Sequence, residues 1–146
     1  MPGERMHVKE VWGFEGGTSL KIPLFTARVS AGFPSPADDF IDKSLDLNEF
    51  LIEHPSATFF VRAEGTSMIG AGIHPGDILI VDRALEPAPG SIVIAALDGE
   101  FTVKRFQRKS GRSFLLAENT EFAPIEITEN MTVEVWGVVT YVIHKT

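Results

Sequence analysis

From Thr58 to its C-terminus the chain alternates short apolar, β-branched runs with turn-forming residues, a pattern that fits a compact, mostly-β architecture and little else. The runs are Thr58–Ala63, Ile78–Asp82, Ile92–Leu97, Glu100–Gln107, Ser113–Ala117 and Val133–His144. Between them stand Pro75-Gly76-Asp77, Pro87-Ala88-Pro89-Gly90, Asp98-Gly99 and Ser110-Gly111. Glycine and proline at these spacings end any helix that starts, so the runs must satisfy their backbone groups by pairing with one another.

Asp98-Gly99 sets a register as well as a turn. Both residue types tolerate the positive φ that a two-residue hairpin loop requires. With those two as the loop, Leu97 pairs with Glu100 and Val93 with Lys104. Side chains alternate between faces, so Ile92, Ile94, Ala96, Phe101, Val103 and Arg105 share one face. Ser91, Val93, Ala95, Thr102, Lys104 and Phe106 share the other. Lys104 is thereby ringed by small or apolar groups and a hydroxyl, with no carboxylate close by. Removing water from an ammonium lowers its pKa, and a lysine held neutral can accept a proton. An ordinary edge-strand lysine would instead extend its ammonium to solvent, and the hairpin alone leaves both readings open.

A hydroxyl that such a base could serve lies upstream, at Ser67 in Gly65-Thr66-Ser67-Met68. Gly65 lets the chain turn sharply after the preceding run. Backbone N–H groups of Thr66, Ser67 and Met68 around that turn are the candidates for an oxyanion hole. A serine without a histidine partner acts as a nucleophile when a lysine amine takes its proton. Taken locally, a turn serine that bonds its own backbone is the better account of the motif. The Gly-x-Ser-x-Gly elbow is not matched, because position 69 is Ile.

Composition closes off other chemistries. The 146 residues are 44% hydrophobic, enough for one domain with a real core. Cysteine is absent, which excludes disulfides, thiolate catalysis and cysteine-ligated metals. His7, His54, His74 and His144 are scattered without metal-ligand spacing, so neither a metal nor another cofactor is expected. No apolar run is long enough to span a membrane and Met1–His7 leads to no signal core, so a cytoplasmic protein is expected. The net charge of −7 disfavours bare nucleic acid as a partner. Lys104, Arg105, Arg108, Lys109 and Arg112 form one basic stretch, read as a solvated strand end and loop.

Residues 1 to about 44 are punctuated by glycine and proline and read as a flexible arm, with a short strand near Lys21–Phe25. Residues 45–54 read as one helix, with Asp46 and Glu49 at capping-box spacing and Pro55 as the stop. Within the arm, Ala31-Gly32 is a small-residue bond ahead of Pro34 and Pro36, which favour the extended form a cleft can accept. A plain linker has the same composition.

Taken together, these elements resemble the LexA/UmuD family of self-cleaving Ser–Lys peptidases. The stretches that carry the resemblance are Phe33-Pro-Ser-Pro-Ala-Asp-Asp-Phe40, Leu45-Asp-Leu-Asn48, His54-Pro-Ser-Ala-Thr58, Gly65-Thr-Ser-Met68, Gly72-Ile-His-Pro-Gly-Asp-Ile-Leu-Ile-Val-Asp82, Asp98-Gly-Glu-Phe-Thr-Val-Lys104 and Gly137-Val-Val139. The resemblance implies a mostly-β, LexA-like catalytic domain over 32–146 and an arm over 1–31 that is removed by self-cleavage. It implies Ser67 as nucleophile, Lys104 as general base and Ala31-Gly32 as the scissile bond. It also implies a homodimer, stimulation by RecA filaments on single-stranded DNA, and a trimmed product that joins a UmuC-type translesion DNA polymerase in the SOS response. The stretch before the bond is too short for a helix-turn-helix domain, which favours a UmuD-like accessory factor over a repressor and argues against sequence-specific DNA binding. Thr66 stands where UmuD-like sequences carry Asp, and residues 1–20 match nothing in the family pattern. Two other readings remain from the residues alone: a non-catalytic β module that regulates a translesion polymerase by binding, and a signal-peptidase-like enzyme acting on other proteins.

Overall fold

The computed structural model describes residues 5–17, 21–25 and 41–146, and among them ten strands, one α-helix and two short 3-10 helices follow one another. In chain order they are β1 (His7–Gly13), β2 (Lys21–Phe25), β3 (Ile41–Asp46), α1 (Leu47–Leu51), β4 (Thr58–Glu64), β5 (Ile78–Asp82), β6 (Ile92–Leu97), β7 (Glu100–Lys109), β8 (Arg112–Leu116), β9 (Ile125–Glu126) and β10 (Val133–Ile143). The mostly-β class with one short helix agrees with the reading of the sequence. The chain divides into two units, one made of Met1–Phe14 with Ser56–Thr146 and the other of Glu15–Pro55. Among the described residues no helix is long and apolar enough to cross a membrane.

The larger unit is one antiparallel sheet in the order β1-β4-β5-β10-β6-β7-β8-β9. A second pairing of β1, with β7 at His7↔Thr102, joins the two ends of the run from β4 to β7. Closure of this kind removes exposed strand edges, which otherwise invite unwanted pairing. It depends on β1, in a stretch whose composition suggests an arm. The structure places His7–Gly13 against β4 from His7↔Glu64 to Gly13↔Phe59 instead. Alternation explains why: Met6 and Val8 turn toward the apolar core, a signal only five or six residues long among glycines.

The hairpin register holds residue by residue. Leu97 faces Glu100 and Val93 faces Lys104. Asp98 and Gly99 have φ of 50° and 82°, and Ser110 and Gly111 have φ of 53° and 75°, so both loops use positive φ at both central residues. The two faces enter two cores. Ile94 and Val103 pack with Met6, Val61, Ala63, Met68, Ile73, Leu79 and Val81. Val93, Ala95 and Phe106 pack with Leu115 and Val138. Both faces of this hairpin are therefore buried, and that is what encloses Lys104.

In the smaller unit β2 and β3 pair from Lys21↔Asp46 to Phe25↔Ile41. The helix is shorter than the pattern over 45–54 suggests. Leu45 and Asp46 are consumed by β3, and Asp46 becomes the N-cap, its Oδ1 accepting from the Asn48 N–H at 2.9 Å.

Candidate active site

Ser67 and Lys104 are brought into the interior of the larger unit by unrelated local devices. Ser67 sits three residues beyond the end of β4, in a loop tied back to that strand. The Gly76 N–H donates to the Ala63 carbonyl at 2.7 Å and the Ala63 N–H donates to the Asp77 carbonyl at 3.0 Å. Gly65 makes the sharp exit with φ of 101°, a value that L side chains rarely adopt. Space enforces the same choice, because a Cβ there would lie 2.6 Å from the Arg5 carbonyl oxygen and 2.7 Å from the Met6 Cα. Thr66, Ser67 and Met68 then lead into a single 3-10 turn, Ile69–Ala71, in which the Ile69 N–H donates to the Thr66 carbonyl. Ser67 and Met68 are completely buried.

Lys104 is only 2% exposed, in the middle of β7. Its pKa is lowered from 10.5 to about 8, first by loss of water and then by the positive charge of Arg5. Its ammonium lies 5.9 Å from the centre of the Phe122 ring, and among the described residues no carboxylate forms an ion pair with it. Lys104 lies between the contacts of two strands on the same edge of β7: β1 meets β7 at Thr102, and β8 begins to pair at Arg105. A lysine in this setting is available in neutral form at a pH where an exposed one is almost wholly charged.

One segment bonds to Ser67 and to the residue next to Lys104. The Met6 N–H donates to the Ser67 Oγ at 2.8 Å, a buried hydrogen bond across 61 positions of sequence. The Met6 carbonyl accepts from the Val103 N–H at 3.4 Å, next to Lys104. Beside the serine turn opens a cleft of about 530 Å³ lined by Ile69, Gly70, Ala117, Glu118, Asn119, Thr120 and Phe122. Phe122, which faces the Lys104 ammonium, is part of its wall. Ala31 and Gly32 lie outside the described residues.

The basic stretch breaks up in three dimensions. Lys104 is buried, the Arg105 guanidinium is bonded to Glu118 and to the Gly90 carbonyl, and Arg112 pairs with Glu126 at 3.7 Å. Arg108, Lys109 and Arg112 stay exposed around the turn between β7 and β8. The histidines behave in the opposite way. His74 and His144, seventy positions apart by sequence number, come together around buried Asp77. The His144 Nδ1 lies 2.5 Å from Asp77 Oδ1 and the His74 Nδ1 lies 3.8 Å from Asp77 Oδ2. Short-range spacing could reveal only the His74–Asp77 half of this group. The other half follows from the pairing of Ile143 with Ile78 at the end of β10.

Comparison with known proteins sets these residues in context. A family model described as Peptidase S24-like matches residues 23–140. The chain is 52% identical over 124 residues to Protein SamA of Salmonella typhimurium, covering 85% of this chain and 86% of that one. It is 48% identical over 132 residues to Protein ImpA of Escherichia coli, covering 90% and 89%. It is 42% identical over 118 residues to the LexA repressor of Ectopseudomonas mendocina, covering 79% of this chain and 57% of the repressor. With a family model spanning most of its length and relatives this similar over nearly all of it, the chain belongs to the peptidase S24 family, the LexA/UmuD group.

Proposed function

We propose that this protein is a self-cleaving serine peptidase that cuts its own Ala31-Gly32 bond with Ser67 as nucleophile and Lys104 as general base. The observation that carries the reading is the buried lysine, whose pKa of about 8 makes it a usable base near neutral pH, in a chain of a peptidase family. In the reaction neutral Lys104 takes the Ser67 hydroxyl proton as Oγ bonds to the Ala31 carbonyl carbon. The oxyanion that forms is met by backbone N–H groups of the 66–68 turn. The Lys104 ammonium then returns a proton to the Gly32 nitrogen as the C–N bond breaks. Water, deprotonated by Lys104, releases the ester and restores Ser67. Tethering the bond to the same chain makes the first step effectively intramolecular, which offsets a modest nucleophile. The cleft walled by Gly70, Glu118 and Phe122 beside the serine turn supports this reading by leaving room for a peptide close to Ser67.

By the same family reading the protein is a cytoplasmic homodimer of the SOS response. Cleavage is stimulated by RecA filaments on single-stranded DNA, and the 32–146 product works with a UmuC-type polymerase in translesion synthesis. The rival reading, a binding module without chemistry, predicts an intact chain under all conditions.

The sign of the pH dependence follows from Lys104. Only its neutral form accepts a proton, so the rate should rise about tenfold per pH unit below pH 8 and level off above it. Incubating the purified chain from pH 6 to pH 10 and weighing the products should give fragments 1–31 and 32–146 along that curve. An intact chain at every pH would leave the binding module as the surviving reading.

A further inference from the structure

Residues 5–13 are the stretch that neither the motifs nor the family pattern accounts for. From His7 to Gly13 they form an added strand in the larger sheet, paired to β4, and His7 also pairs with β7. At the serine the fit is close. Met6 is completely buried in the core that contains Val61, Ala63, Met68 and Val103. Its N–H and carbonyl bond to Ser67 Oγ and to the Val103 N–H, and the Arg5 carbonyl passes directly over Gly65. An extended peptide bonded on both sides, with one residue in an apolar pocket and its amide on the attacking oxygen, has the features of a substrate strand held by strand addition. We propose that residues 5–13 are a resident occupant of the peptide slot at Ser67, and that self-cleavage requires their release. The inference rests on the reading of Ser67 as nucleophile.

The physical basis is exclusion. The hydrogen bond from Met6 engages the oxygen that must attack, and the backbone of residues 5–6 fills the space beside Gly65 that an incoming segment would cross. The structure is therefore of the resting form, and a coactivator need only draw this strand away to favour cleavage. Arg5 acts in the opposite sense, since its charge favours the neutral Lys104 that cleavage needs, so the exclusion is steric and not electrostatic.

Two variants of the full-length protein test this. Deleting residues 2–13 should raise the basal, Ser67-dependent rate of Ala31-Gly32 cleavage at least tenfold. Glu10 and Arg62 form a cross-strand ion pair at 3.5 Å on the outside of β1 and β4. The chain has no cysteine, so Glu10→Cys with Arg62→Cys can form a single disulfide that clamps the strand without touching the core. The oxidised clamp should cleave at least tenfold more slowly than the reduced one, and reductant should restore the rate. Equal rates in the oxidised and reduced clamp would overturn the inference, even if the deletion variant fails to fold. A product cut at Arg5-Met6 would also overturn it, since the strand would then be a substrate. Absence of Ser67-dependent fragments from every form would instead remove the peptidase reading, and this inference with it.

A different observation carries a second proposal. His74, Asp77 and His144 each offer one ligand atom, and these atoms all lie within 4.8 Å of one another. Tetrahedral zinc bound at about 2.0–2.1 Å has ligand atoms roughly 3.3 Å apart, so shifts of an ångström or so would complete the shell, with water as the fourth ligand. Asp77 is held in place by the His74 N–H, which donates to its Oδ2 at 2.8 Å. Both imidazoles are about half exposed, at 46% and 48%, and give an ion access. We infer that this trio binds a divalent transition-metal ion, with zinc the best match to two imidazoles and a carboxylate. Calorimetric titration of the chelator-treated full chain with zinc chloride should show one saturable site, weakened at least tenfold by His74→Ala and by His144→Ala. No saturable binding, or binding unchanged in both variants, would overturn it.

Discussion

Lys104→Met should end self-cleavage at every pH and at the same time make the protein more stable at pH 7 than the wild type. The two effects have one cause. Burial lowers the lysine pKa from 10.5 to about 8, so near neutrality the folded chain carries an ammonium in a site that disfavours it. That cost is on the order of 3 kcal/mol at pH 7, taking about 1.4 kcal/mol for each pH unit by which the pKa is moved. Methionine has a similar length, no charge, and neighbours such as Val93 and Phe106 on its face of the hairpin. The gain should appear in thermal unfolding as roughly 5–10 °C. Its pH dependence has a definite sign. A lysine with a depressed folded-state pKa destabilises the fold fully below pH 8, and the penalty disappears as pH climbs through 8 toward 10.5. The stability advantage of the variant should therefore shrink on the alkaline side, over the range in which wild-type cleavage is fastest. A variant that melts no higher at pH 7 and loses no cleavage would show that Lys104 is neither strained nor used. Functional groups held against the stability of the fold are a recurrent feature of active sites.

Ser67→Ala should abolish cleavage equally but shift stability the other way. The hydroxyl is the acceptor for the buried Met6 N–H, and removing it leaves that donor without its partner at a fully buried position. An unsatisfied buried donor costs about 1–3 kcal/mol. The loss falls on the seam between β1 and the rest of the sheet, so amide exchange at Met6 and along β1 should quicken before exchange in β6 or β7 does. Two substitutions that silence the same chemistry thus move the melting temperature in opposite directions. A purely structural serine and lysine would not couple to cleavage at all, and this pair of measurements distinguishes the cases.

Much of the larger sheet was legible without coordinates because its turns are chemically specific. Asp98-Gly99 demands positive φ at two successive residues, and once the loop is set, alternation places every side chain of β6 and β7 on a face. That register gives Lys104 its apolar neighbours within the hairpin, while its enclosure comes from the packing of other strands on both faces. Ser67 was legible as a turn residue after a strand, and the role of Gly65 in that turn agrees with its φ of 101°. The boundary of α1 was less so, because Leu45 and Asp46 suit a helix start and a strand end alike, and pairing with β2 decided between them.

By itself, then, the sequence determined the hairpins, the mostly-β class and the small or apolar neighbours of one lysine on its hairpin face, since each rests on residues within a few positions of one another. Only the tertiary structure decided that β1 closes the sheet over Ser67 and that His74 and His144 meet at Asp77. Those contacts join positions some sixty or more apart in number, where no local propensity acts. What selects them is the burial of Met6 and the pairing of β1 with β4 and of β10 with β5, strands far apart along the chain.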